Sequence, residues 1–181
     1  MTTSLDERRE SIAGRVSGKI ALVTGGASGI GRATAILLAE QGARVAVADL
    51  SEADGQEVIR AIESKGGEAF FSRMDVTSEA SVQNTVAQII EKWRCLDVLV
   101  NNAGVAGIQK PIHEVTAKEY DSVMDVNVRG VFHCTKHSIL AMREGGSIIN
   151  LSSIFGLVGG ASVESPYSVY QASKGAVIMM T

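Results

Sequence analysis

Five short apolar runs constrain this chain more than anything else in it: "KIALVT" (19–24), "ARVAVAD" (43–49), "EAFFSRMD" (68–75), "LDVLVN" (96–101) and "GSIINLSS" (146–153). Most are near-continuous Val, Ile, Leu and Ala rather than alternating, the pattern of strands buried on both faces of a parallel sheet. Helical periodicity fills the gaps between them. Ile30, Ala33, Thr34, Leu37, Leu38 and Gln41 recur at i, i+3, i+4 and i+7; Val58, Ile59 and Ile62 make a shorter version; Val82, Val86, Ile89, Ile90 and Trp93 follow Ser78. "TAKE" sets Thr116 and Glu119 as a capping box, which predicts a helix from Thr116 to about Arg143. Strand and helix thus alternate up to a last helix carrying Tyr170. Such an order predicts an α/β fold with a doubly wound, Rossmann-like parallel sheet and helices on both faces.

At 181 residues the chain suits one domain, read as residues 18–181 behind a flexible N-terminal extension over 1–17. The extension mixes Arg8, Arg9 and Arg15 with Asp6, Glu7 and Glu10, unlike a transit peptide. With 45% hydrophobic residues and few aromatics, the core must be aliphatic. A net charge of −3 without a basic block argues against nucleic acid as a partner. No apolar run approaches the ~20 residues that span a bilayer, so no membrane partner is expected. Cys95 and Cys134 fit neither a metal spacing nor a disulfide framework, so no metal is expected, and a reduced, cytoplasmic setting is.

Chemistry concentrates at three places. "TGGASGIG" (24–31) stands between the first strand and the first helix, where glycines let the backbone bend and approach a pyrophosphate at the helix N-terminus. Gly25, Gly29 and Gly31 are the positions assigned, against the alternative of a tight turn with no ligand. Asp49 ends the second strand, 18 residues after Gly31. A carboxylate there accepts hydrogen bonds from the adenosine ribose and repels a 2′-phosphate, which favours NAD; Ser28 and Leu50 offer no neutralising base. The alternative is an Asp that caps the helix starting near Ser51. Finally, "YQASK" (170–174) holds Tyr170 and Lys174 four residues apart, on one face of a helix, and a nearby positive charge favours the ionised phenol.

Together with "DVT" (75–77), "NNAG" (101–104), Asn127 in "VMDVNVRG" and "NLSS" (150–153), these motifs resemble the short-chain dehydrogenase/reductase family from about Lys19 to Thr181. The resemblance implies a cofactor-binding set of Gly25, Ser28, Gly29, Ile30, Gly31, Asp49, Leu50, Asp75, Val76, Asn102, Ala103, Gly104, Tyr170 and Lys174. Asp75 and Val76 would lie against the adenine, and "NNAG" would form the cofactor floor. It also implies four catalytic residues: Tyr170 as acid/base, Lys174 lowering its pKa and holding the nicotinamide ribose, Ser153 on the substrate oxygen, and Asn127 positioning water for a proton relay. Tyr167 is a rival phenol, set aside because position 171 is Gln; Ser152 yields to Ser153 because the family's serine is the second of the pair. His113, His133 and His137 are read as surface or packing residues, and Cys134 as an apolar filler.

The implied activity is an NAD-dependent oxidoreductase interconverting a secondary alcohol and a ketone. Two alternatives stand beside it: an NADPH-dependent 3-oxoacyl carrier-protein reductase, and a catalytically silent nucleotide-binding module. Family members continue beyond the tyrosine helix, so the chain is read as truncated after its fifth strand and the start of the next helix, with an apolar edge left open. The stretch from Ser153 to Tyr170 is longer than the family's usual spacing, and a bulged loop after Gly156 is expected to absorb it. Residues near 154–163 suit an apolar substrate. A homodimer or homotetramer through about 116–143 and 166 onward is expected.

Overall fold

The computed structural model describes residues 14–107, 109–158 and 167–181. Five strands, β1 (Ile20–Thr24), β2 (Arg44–Asp49), β3 (Ala69–Arg73), β4 (Val98–Asn101) and β5 (Ser147–Asn150), form one sheet in the order β3-β2-β1-β4-β5. All four pairings are parallel, as the near-continuous apolar runs predict. Between them run α1 (Gly29–Glu40), α2 (Glu52–Glu63), α3 (Glu79–Trp93), α4 (Ala117–Met124), α5 (Gly130–Ala141) and, after β5, α6 (Ser168–Met179).

Successive strand side chains point to opposite faces, and the core divides accordingly. On one face Ala21, Val23, Val45 and Val47 pack with Ala35 and Ala39 of α1 and Val58, Ile59 and Ile62 of α2. On the other, Ile20, Leu22 and Leu99 pack with Val82, Val86, Ile89 and Trp93 of α3 and Cys134 of α5. Each fully buried Val or Ile contributes ~1.5–3 kcal/mol relative to exposure. The central strands β1 and β4 are buried throughout, whereas β5 alternates between exposed and half-buried residues because it has a neighbour on one side only among the described residues.

Ser78 caps α3, its hydroxyl accepting from the Ser81 N–H, and the Thr116–Glu119 capping box opens α4. The helix expected from Thr116 to Arg143 is corrected in one respect. Its middle, Asp125–Arg129, opens into a wider π turn in which the Gly130 N–H reaches the Asp125 carbonyl, and the helix ends at Ala141. Apolar periodicity does not distinguish a π turn from an α turn, and Asn127, the buried residue of this turn, lies within it. The expected extension and the bulged loop fall mostly on residues 1–13 and 159–166, outside the described residues. Val16 and Ser17, which are described, hydrogen bond to Gln41 and Gly14.

Candidate active site

The glycine turn leaves the C-terminal end of β1, at the centre of the sheet and beside β4, where strand order reverses and ligands settle in doubly wound sheets. Gly25 adopts φ +61°, and a Cβ there would lie 2.9 Å from Ala103 Cα. Gly31 is needed for closeness: a Cβ would lie 2.1 Å from the Gly25 carbonyl oxygen. Ser28 stands at the N-cap of α1 in extended backbone, and among the described residues its hydroxyl makes no hydrogen bond, beside the helix N-terminus.

A cleft of about 380 Å³ opens above this turn. Its lining contains Gly25, Ser28, Gly29, Ile30, Asp49, Leu50, Asp75, Val76, Asn102, Ala103 and Gly104, so all these residues meet at one place. Gly31 packs behind the turn. Sequence reasoning missed Met74, Val105 and Val126, which also line the cleft, and Thr24 beneath it. Met74, Val105 and Thr24 sit at or just past strand C-terminal ends, a placement that marks ligand sites in such sheets and needs no motif.

Polar atoms in the cleft are held by backbone. Asp49 Oδ2 accepts from the Ala27 N–H at 3.0 Å and Oδ1 from the Ser51 N–H at 3.1 Å, so the carboxylate both pins the glycine turn and braces the start of α2. Asp75 Oδ1 accepts from the Thr77 N–H and hydroxyl at 2.9 and 2.8 Å. Thr24 Oγ1 accepts from the N–H groups of Asn102 and Ala103 at 3.1 and 3.0 Å, and Asn102 Nδ2 donates to the carbonyls of Thr24 and Gly25, both at 2.9 Å. These bonds lock the "NNAG" loop onto the glycine turn. The open cradle, the Ser28 hydroxyl and a carboxylate at the end of β2 together fit a dinucleotide.

Tyr170 and Lys174 share one face of α6, with Lys174 Nζ 5.7 Å from the centroid of the Tyr170 ring. Lys174 is 6% exposed and donates to the Leu151 carbonyl at 2.7 Å; burial pushes its pKa below the usual ammonium range. A Cβ on Gly104 would sit 3.5 Å from Lys174 Nζ, so the ammonium borders the cleft floor. Ser153 Oγ accepts from the Phe155 N–H at 3.2 Å, capping the short 3₁₀ turn Ile154–Gly156, while Ser152 Oγ donates to the Lys174 carbonyl at 2.8 Å. The two serines therefore differ in kind: Ser152 is spent on tethering α6. Asn127 is 1% exposed and its amide is fully engaged, Oδ1 accepting from the Val105 N–H at 2.8 Å and Nδ2 donating to the Val105 carbonyl and Ser173 Oγ. Tyr167 stands just before α6, its ring 6.2 Å from those of both Phe155 and Tyr170.

His133, His137 and Cys134 make contacts away from the cleft floor. His133 is buried and bonded to the Val76 carbonyl at 3.1 Å, and His137 pairs with Glu79 at 2.8 Å. The Cys134 thiol is pushed up to about 12 by burial. Among the described residues no cluster of His, Cys, Asp or Glu suits a metal, and no helix is long and apolar enough to cross a membrane.

Comparison with known proteins agrees with this geometry. Cyclopentanol dehydrogenase of Comamonas sp. (strain NCIMB 9872) is 42% identical over 170 residues, a span covering 93% of this chain and 66% of that protein. The 3beta-hydroxysteroid dehydrogenase of Mediterraneibacter gnavus is 40% identical over 171 residues, covering 94% of this chain and 60% of that one. The crystal structure of NAD+-bound xylitol dehydrogenase superposes with a TM-score of 0.87 at 34% identity, covering 92% of this chain and 64% of that chain. The chain thus spans roughly two thirds of the length of these relatives. The family model for short chain dehydrogenase matches residues 19–181, and the chain belongs to that family.

Proposed function

We propose that this chain carries the cofactor and proton-transfer machinery of an NAD-dependent oxidoreductase that interconverts a secondary alcohol and a ketone. The observation that carries the reading is the placement of Tyr170 and Lys174 together on α6, with the Lys174 ammonium against the floor of the cleft. A bound nicotinamide would accept or supply the hydride. Oxidation of an alcohol also requires removal of its O–H proton, and reduction requires a donor to the carbonyl oxygen, the work assigned to the Tyr170 phenol. Ser153 hydrogen bonds the substrate oxygen. Lys174 holds the nicotinamide ribose. Asn127 contributes through its side-chain grip on Val105 rather than through a free amide. Asp75 Oδ2, free of the Thr77 contacts, is available to the adenine.

Asp49 supports NAD over NADP, because a second negative group at the ribose 2′ position would face this carboxylate. The relatives named for cyclopentanol and 3β-hydroxysteroids support a ring-borne secondary alcohol as substrate, and the aromatic surface of Phe155 and Tyr167 beside Ser153 and Tyr170 suits one. Two free cysteines accord with the cytoplasm. Exposed Tyr120, Phe132, Ile139 and Leu140 on α4 and α5 support a homodimer or homotetramer.

Tyr170→Phe is expected to abolish turnover of cyclopentanol while changing NAD affinity less than about twofold. Steady-state kinetics with NADH fluorescence titration check this, and undiminished turnover would refute the assignment. Asp49→Ser is expected to shrink the preference for NAD over NADP by about tenfold, measured as the ratio of kcat/KM values.

A further inference from the structure

The polar groups around Asn127 form one continuous run from the cleft floor to the helix bearing Tyr170. At the cleft end, the Asn127 amide clasps both backbone groups of Val105, which lines the cleft, at 2.8 and 2.9 Å. Its Nδ2 also donates to Ser173 Oγ at 3.0 Å, and Ser173 Oγ in turn donates to the Tyr170 carbonyl at 2.7 Å. Asn127 and Ser173 are 1% and 0% exposed, so these bonds are shielded from bulk water. A serine inside a helix commonly bonds back to its own helix and goes no further. Ser173 goes further: it accepts from another element and cross-braces α6 to the π turn.

Among the described residues little holds the Tyr170 phenol itself. Its neighbours are the Tyr167 ring at 6.2 Å, the Lys174 ammonium at 5.7 Å from its own ring, and a small recess it shares with Glu119, whose carboxylate is occupied by Lys110 and Thr116. Among the described residues the phenol makes no hydrogen bond, so its location follows from where the α6 backbone is held. Proton transfer is sensitive to that location, since a shift of ~1 Å in a reacting group costs up to ~100-fold in rate.

We propose that Ser173 is a positioning residue, which through its hydrogen bonds to the Tyr170 carbonyl and the Asn127 amide sets where the Tyr170 phenol stands relative to the cleft floor. The catalytic consequence rests on the reading of Tyr170 as acid/base; the positional one does not. The test uses protein labelled with 3-fluorotyrosine, in which Tyr170→Phe identifies the Tyr170 fluorine resonance. Ser173→Ala is expected to shift or broaden that resonance and leave the Tyr120 resonance in place. It is also expected to lower kcat about tenfold while KM for NAD stays within about twofold. Ser173→Thr, which keeps the hydroxyl, is expected to restore both. Where the thermal midpoint shows that Thr is too large for the site, Ser173→Cys, a weaker hydrogen-bonding isostere, is expected to fall between Ala and wild type. An unmoved Tyr170 resonance in Ser173→Ala overturns the proposal, as does a moved resonance with unchanged kcat in an active enzyme. Should the wild-type chain turn over no alcohol, the acid/base reading fails and the fluorine spectrum alone decides the position of Tyr170.

Discussion

Lys174 is the residue at which charge and burial conflict most directly. Desolvation lowers its pKa, so the unfolded chain binds this proton more tightly than the folded one. The group's cost to stability is therefore present in full at lower pH and vanishes as pH climbs toward the unfolded value of ~10.4. The thermal midpoint of the wild type relative to Lys174→Met is expected to rise between neutral pH and about pH 10. Parallel curves for the two proteins would refute this. At the same scale, "YQASK" makes Tyr170 and Lys174 legible because a helix places i and i+4 together whatever surrounds it. The engagement of Asn127 is not legible, because its partners, Val105 and Ser173, lie 22 and 46 residues away. Ser152 is a similar case: nothing in "NLSS" says that its hydroxyl meets the Lys174 carbonyl.

Among the elements, α4 has the most explicit start. The Glu119 N–H donates to Thr116 Oγ1 at 3.3 Å, and Glu119 Oε2 accepts from the Thr116 N–H at 2.9 Å. The Glu119 carboxyl is held down to about 2, mainly by Lys110 and then by the Thr116 backbone and hydroxyl. Thr116→Ala is expected to cost about 1 kcal/mol, seen as a lower urea midpoint at unchanged m. A stability within error of wild type would show that the remaining Glu119 contact suffices. The capping box is readable because both partners lie within one turn. The π turn that follows is not, since the apolar pattern of Val123, Val126 and Phe132 suits either helical form. Within it Asn127 bonds a carbonyl and an N–H on the loop after β4, contacts that local periodicity does not reveal.

At the scale of the molecule, α5 carries one of the exposed apolar faces among the described residues. Phe132, Ile139 and Leu140 are 51%, 54% and 75% exposed, and their spacing puts them on one face of α5. In light scattering the wild-type chain is expected to have at least the mass of a dimer, and Leu140→Glu to shift it toward monomer, with a change in monomer stability of about 0.5 kcal/mol or less. A wild-type chain that is monomeric at all accessible concentrations would defeat the proposed assembly. By itself the sequence determined the parallel sheet, the helices between its strands, the glycine turn with its acid, and the tyrosine–lysine pair. The sheet and helices follow from periodicity, the glycine turn and the tyrosine–lysine pair from residues close in sequence, and Asp49 from its place at the end of the second strand. Only the tertiary structure decided which side chains are consumed as braces and which stay free for chemistry. Among the described residues Asn127, Ser152 and Ser173 lie among the braces, Ser28 and one oxygen of Asp75 outside them. The physical reason is that a buried polar atom bonds whatever the packing brings within about 3 Å, and packing joins segments far apart in the chain.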